Sequence, residues 1–115
     1  MGAQVVVCDQ EGFDILAFAP AAIRIEVKAT ARGAVSANRL EFNTGKGGTK
    51  SKVTEQHCEV VALADLLGMR CLFLPISKIS RKNFKISENR FTPAEEVASW
   101  RNCIRKANGK NISNN

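Results

Sequence analysis

The six residues Ile23-Arg24-Ile25-Glu26-Val27-Lys28 alternate apolar and charged side chains without a break. Only an extended strand gives such a run one dry face and one polar face, because successive side chains point to opposite sides of the pleat. Ile23, Ile25 and Val27 share one face, and Arg24, Glu26 and Lys28 share the other. Phe13-Asp14-Ile15-Leu16-Ala17-Phe18 is a second extended run, with Phe13, Ile15 and Ala17 on one face and Asp14, Leu16 and Phe18 on the other. Ala19-Pro20-Ala21-Ala22 separates the two. Pro20 has no N–H to donate to a ladder, so it belongs in the connection of a hairpin.

A hairpin centred on Pro20 sets Asp14 opposite Glu26 on one face, with Lys28 diagonal to both. Directly opposed Cβ atoms lie about 5 Å apart. A slip of one residue would send Asp14 to the other face. Two carboxylates facing each other repel unless a positive charge sits between them. A hard divalent cation such as Mg²⁺ meets that need, taking carboxylate and main-chain oxygens and keeping several waters. It would polarise a phosphate oxygen and lower the pKa of a bound water. Lys28 is placed to orient or deprotonate that water and to balance charge developing on a phosphoryl group. The competing interpretation is plain: Glu26 and Lys28 as surface charges on an edge strand, with Asp14 an acid near a turn. Glu-x-Lys alone is a weak motif.

Along the rest of the chain, Gln4 to Cys8 is a Val-rich strand that ends in the polar turn Asp9-Gln10-Glu11-Gly12. Leu40 to Asn43 is a fourth strand candidate. Val60 to Ala64 and Cys71 to Leu74 follow around Gly68; the first is open between strand and helix, since periodicity does not decide over so short a run. Ile76 to Asn83 is amphipathic and its state is open. Thr54 is placed to cap a short turn through His57. Thr92-Pro93-Ala94-Glu95 has the form of a capping box with Pro at the first helical position. Val97, Trp100, Ile104 and Ala107 then repeat at helical spacing, and this stripe is expected to pack on the sheet. Gly109 is a candidate helix stop. The spacing predicts a single domain over residues 1–107 and a flexible polar tail over 108–115.

At 115 residues, with 44% hydrophobic, the chain suits one small domain with a core. No stretch reaches the roughly 18 apolar residues that a membrane helix needs. The first twenty residues carry Asp9, Glu11 and Asp14 and no Lys or Arg, unlike a secretory signal. Cys8, Cys58, Cys71 and Cys103 contain no C-x-x-C pair, and His57 is the one histidine. That spacing argues against structural zinc and for free thiols in a reducing cytoplasm. Adjacent residues such as His57 and Cys58 rarely present their side chains to each other, so a structural role is expected. Gly45-Lys46-Gly47-Gly48-Thr49-Lys50 lacks the Walker spacing.

Asp14 followed by Glu26-Val27-Lys28 resembles the D…(D/E)-x-K signature of the PD-(D/E)XK nucleases, the restriction-endonuclease-like superfamily. Phe13 to Ala17, Ile23 to Thr30, Phe42-Asn43-Thr44 before a Lys/Gly loop, Val60 to Leu63 and Leu72-Phe73-Leu74-Pro75 come in the same order. Together they look like the small endonucleases associated with group I introns and homing, over roughly residues 4 to 86. The resemblance implies an α/β restriction-endonuclease-like core: a mixed central sheet of about four to five strands with flanking helices. It implies Asp14, Glu26 and the Val27 carbonyl as metal ligands, Lys28 as the catalytic lysine, and Mg²⁺ or Mn²⁺ as cofactor. It further implies DNA as substrate and homo-oligomers as a common assembly. The family core normally begins with a helix ahead of the first strand. Here Met1 lies three residues from the Gln4 run. The expectation is either a truncated gene product or a start that lies upstream, with one face of the sheet uncovered, and the alternative function is a basic nucleic-acid-binding module without catalysis.

Seventeen Lys and Arg against eleven Asp and Glu leave a net charge of +6. Lys46, Lys50 and Lys52 lie in a glycine-rich segment with no apolar side chain to bury, so a mobile surface loop is expected. Lys78, Arg81 and Lys82 add a second cluster. Such side chains suit phosphate contacts, which weaken with salt. An RNA-binding role finds little support, since the chain has no Tyr and one Trp for base stacking.

Overall fold

The computed structural model describes residues 4–10, 13–45 and 53–113, with the backbone alone at 8–10 and 110–113. Its elements are β1 (Gln4–Gln10), β2 (Phe13–Phe18), β3 (Ala22–Thr30), β4 (Arg39–Asn43), β5 (Val60–Asp65), β6 (Arg70–Pro75), β7 (Asn83–Ser87) and α1 (Pro93–Ser113). Five strands form one sheet in the order β1-β2-β3-β5-β6, and β4 pairs with β7 in a separate ribbon. The sheet is mixed: β3 and β5 run parallel, while its other neighbours are antiparallel. The expected α/β architecture is the one observed.

Alternation in β3 builds two cores. Ile23 and Ile25, with Ala17, Val60 and Ala62, meet Trp100 and Cys103 of α1 on one face. The opposite face carries Val61, Leu63, Leu72 and Leu74 under Leu40 and Phe42 of the ribbon. The expectation of an uncovered face is thus corrected: β4 and β7 pack over the centre of the sheet on the side opposite α1. Exposed apolar side chains lie at β1, where Val5, Val6 and Val7 face solvent, and at the β5–β6 turn, with Leu66, Leu67 and Met69. Phe13 also departs from simple alternation. It packs with the ribbon-side core while Ile15 joins the helix side, at the point where the β1–β2 ladder shifts register.

Val60–Asp65 is a strand, paired on both sides, which resolves the open alternative. The open segment from Ile76 begins with a 3-10 turn and then enters β7. Thr92 caps α1 as expected, its Oγ1 accepting from Glu95 N at 3.1 Å. The helix does not stop at Gly109 but continues to Ser113, so the tail expected from residue 108 is helical in its first part. Asn108 Nδ2 donates to Ala19 O at 3.0 Å and its Oδ1 accepts from Ala21 N at 3.2 Å, tying the helix to the β2–β3 turn. Further up the helix, Glu96 Oε1 and Ser99 Oγ accept from Cys71 N and Phe73 N at 2.8 and 3.0 Å. These bonds close the β6 edge, which would otherwise offer open donors to another chain.

Trp100 is 4% exposed and its ring lies 5.1 Å from that of Phe73. Trp100→Ala is expected to cost about 3–5 kcal/mol, checked by urea titration. Burial raises the thiols of Cys58 and Cys103 to about 12 and that of Cys71 to about 11, with the nearby carboxylate of Glu26 adding to the shift at Cys58. Unfolded thiols ionise first, at about 8.5. Their contribution to stability is therefore complete below that pH and falls as pH rises toward 11–12. In a Cys8→Ser background the remaining thiols are expected to resist a disulfide reagent at pH 8 and to react at once in urea.

Candidate functional site

The β2–β3 pairs are Ile15 with Ile25, Leu16 with Arg24, Ala17 with Ile23 and Phe18 with Ala22. This is the register expected from a turn at Pro20. The ladder ends at Ile15–Ile25, and one residue beyond it a side chain takes over: Asp14 Oδ2 accepts the main-chain N–H of Val27 at 2.8 Å. The aspartate is tied in this way to the strand that carries Glu26 and Lys28.

Glu26 is 8% exposed, so it is not a charge on a solvent-facing strand. Cys58 is its neighbour in the ribbon-side core, close enough for the carboxylate to push up the thiol pKa. Arg24, two residues earlier on the same face, fastens this segment to β3. Its guanidinium pairs with the Glu59 carboxylate and donates to Gln56 O and Glu55 O at 3.1 and 3.2 Å. The Arg24 N–H also donates to Glu59 Oε1 at 2.8 Å. The bond to Glu59 raises the guanidinium pKa further. His57 has a structural role, its Nδ1 accepting from Thr54 N at 3.1 Å.

Lys28 Nζ donates to Gly45 O at 3.1 Å. Gly45 is also where Lys82 arrives: a Cβ at this position would come within 2.6 Å of Lys82 Cε, so the lysine side chain lies directly over the glycine. Thr44, fully buried, holds the junction. Its Oγ1 donates toward Arg81 O and Lys82 O at 2.7 and 2.9 Å, and its N–H donates to Lys82 O at 2.6 Å. Val53 N donates to Thr44 O at 2.8 Å, so residues 44 and 53 are joined.

The structure therefore gathers Asp14, Glu26 and Lys28 on one hairpin, and Lys82 reaches Gly45, whose carbonyl accepts from Lys28. Arg81 contributes its carbonyl to Thr44, and its exposed side chain lines a cleft beside the ribbon. Lys78 lines a different depression, with Arg90 and Phe84. Lys46, Lys50 and Lys52 lie outside the described residues. Sequence reasoning passed over Thr44 and Gly45 as site residues; the signal for the elements that hold them was the alternation in β4 and in the unrecognised β7. Among the described residues no three His, Cys, Asp or Glu side chains converge as a metal cluster. The hairpin instead offers two carboxylates and the Val27 carbonyl, an all-oxygen set whose chemistry fits a hard cation better than zinc.

No family model and no curated protein matches the sequence. Among solved structures, the chain is similar to a bacterial homing endonuclease, I-Ssp6803I, with a TM-score of 0.63 at 11% identity. The match covers 98% of this chain and 84% of that one. Among the described residues no helix is long and apolar enough to cross a membrane. The fold of this chain is endonuclease-like.

Proposed function

We propose that the chain is a metal-dependent endonuclease of the PD-(D/E)XK kind that hydrolyses DNA phosphodiester bonds at Asp14, Glu26 and Lys28. The observation that carries this reading is the Asp14–Val27 bond at 2.8 Å, which holds the first carboxylate against the strand bearing the second and the lysine. The similarity to a homing endonuclease supports the choice of DNA.

Asp14, Glu26 and the Val27 carbonyl would hold Mg²⁺, or Mn²⁺ in its place. Bound there, the ion supplies Lewis acidity to a phosphate oxygen and a more acidic water. Asp14 keeps its position through Val27, and the burial of Glu26 limits the conformations its carboxylate can adopt. Lys28, anchored on Gly45 O, directs its ammonium to the attacking water and to the charge that develops on phosphorus-bound oxygens. Water adds to phosphorus and releases a proton to solvent, one P–O ester bond breaks with its electron pair, and the departing oxygen takes up a proton from solvent. Lys82, meeting the site at Gly45, adds positive charge for the phosphate backbone.

Supercoiled plasmids carrying random inserts are expected to be nicked or linearised with Mg²⁺ or Mn²⁺ and to stay intact in EDTA. Asp14→Ala and Lys28→Ala are each expected to lower the cleavage rate about 100-fold or more while DNA affinity persists. Cleavage unchanged in both variants overturns the assignment of roles. Salt-dependent binding that survives EDTA, with no cutting under either metal, leaves a binding module in place of the enzyme.

A further inference from the structure

We infer that the outer face of the β4–β7 ribbon reads base edges in the major groove of duplex DNA. The choice of duplex DNA rests on the nuclease reading; the assignment of the surface rests on the ribbon itself. Arg39-Leu40-Glu41-Phe42-Asn43 and Asn83-Phe84-Lys85-Ile86-Ser87 each alternate polar and apolar residues. Leu40, Phe42, Phe84 and Ile86 pack into the core beneath. The opposite face is polar throughout, in three cross-strand pairs: Arg39 with Ser87, Glu41 with Lys85, and Asn43 with Asn83.

Two of these residues have local duties. Glu41 pairs with Arg32 at 3.7 Å, and Asn43 Oδ1 accepts from Gly45 N at 2.9 Å. Arg39, Asn83 and Lys85 are exposed and make no side-chain hydrogen bond or ion pair among the described residues. They border a cleft of about 690 Å³ to which Arg81 and Lys82 also contribute, so four cations face one acid, Glu41. A polyanion is the complementary partner. The ribbon also has the right dimensions. Five extended residues span about 17 Å and two strands lie about 5 Å apart, while the major groove is about 12 Å wide and admits a two-stranded ribbon.

The chemistry of the free side chains is that of base recognition. Asparagine pairs with the N6 and N7 edge of adenine, and arginine or lysine with O6 and N7 of guanine. Placement completes the case. The Asn43–Asn83 end of the ribbon runs directly into Gly45 and Lys82, where Lys28 is bonded. The surface that reads bases is thereby held at a constant distance from the bond to be cut.

The test is selection of bound duplexes from a randomised pool by the Lys28→Ala chain, which by the nuclease reading does not consume its ligand. This protein is expected to enrich a consensus. Arg39→Ala, Asn83→Ala and Lys85→Ala, added singly, are each expected to erase about ten-fold or greater discrimination at one or two adjacent positions. Asn83→Arg is expected to convert a preference for adenine into one for guanine at its position, a gain that misfolding cannot produce. The proposal is overturned by the absence of any consensus, by a consensus unchanged in all four variants, or by a uniform loss of affinity across sequences. Because the readout is binding, a failure to cleave plasmid leaves this result unaffected, and an unchanged consensus leaves the nuclease reading standing.

Discussion

The register of one hairpin organises this molecule. With Ile15 opposite Ile25, β3 turns Ile23 and Ile25 toward α1 and Glu26 and Lys28 toward the ribbon. A shift by one residue would exchange those sets, burying charges under the helix and presenting apolar side chains to the site. The side-chain bond from Asp14 to Val27 N extends that register one step past the ladder. The constraint that aligns the strands thus also ties the Asp14 carboxylate to the strand that carries Glu26 and Lys28.

The second layer gives that pair its surroundings. Thr44 joins β4 to the carbonyls of Arg81 and Lys82, and this junction presents Gly45 O to Lys28. The lysine is directed by a main-chain acceptor from a different layer of the fold. Arg24 does the corresponding work at the other end of the polar face, holding the segment that brings Cys58 against Glu26. Polar face and ribbon are stabilised together: the same contacts that limit the mobility of Glu26 and Lys28 keep β4 and β7 on the sheet. On the opposite face, α1 closes the β6 edge with Glu96 and Ser99 and secures the β2–β3 turn with Asn108.

Much of the hairpin was legible in the sequence because its signals are local. Alternation over six residues, a proline between two strands and two acids in register need no distant partner for their interpretation. The cap at Thr92 and the Trp100 stripe were legible for the same reason, although Cys103, between the expected stripe positions, also packs on the sheet. Three features were not. Val60–Asp65 reads as a strand with a helix as the alternative, since Ala62, Leu63 and Ala64 favour one; pairing on both edges decides for the strand. β7 follows an amphipathic stretch whose state the sequence leaves open, and pairing with β4 defines it as a strand. The helix runs through Gly109, and just before it Asn108 bonds the carbonyl of Ala19, a partner 89 positions away.

The sequence by itself determined that a hairpin would carry Asp14, Glu26 and Lys28, since period-two alternation and a proline turn admit few other pairings. It also determined the excess of positive charge and the apolar stripe of the final helix. Only the tertiary structure decided that Glu26 would be buried, that Lys28 would meet Gly45, and that β4 would leave the main sheet to pair with β7. Those outcomes depend on which surfaces compete for the face of the sheet opposite the helix. That competition is settled by packing among residues far apart in the chain, which no local pattern encodes.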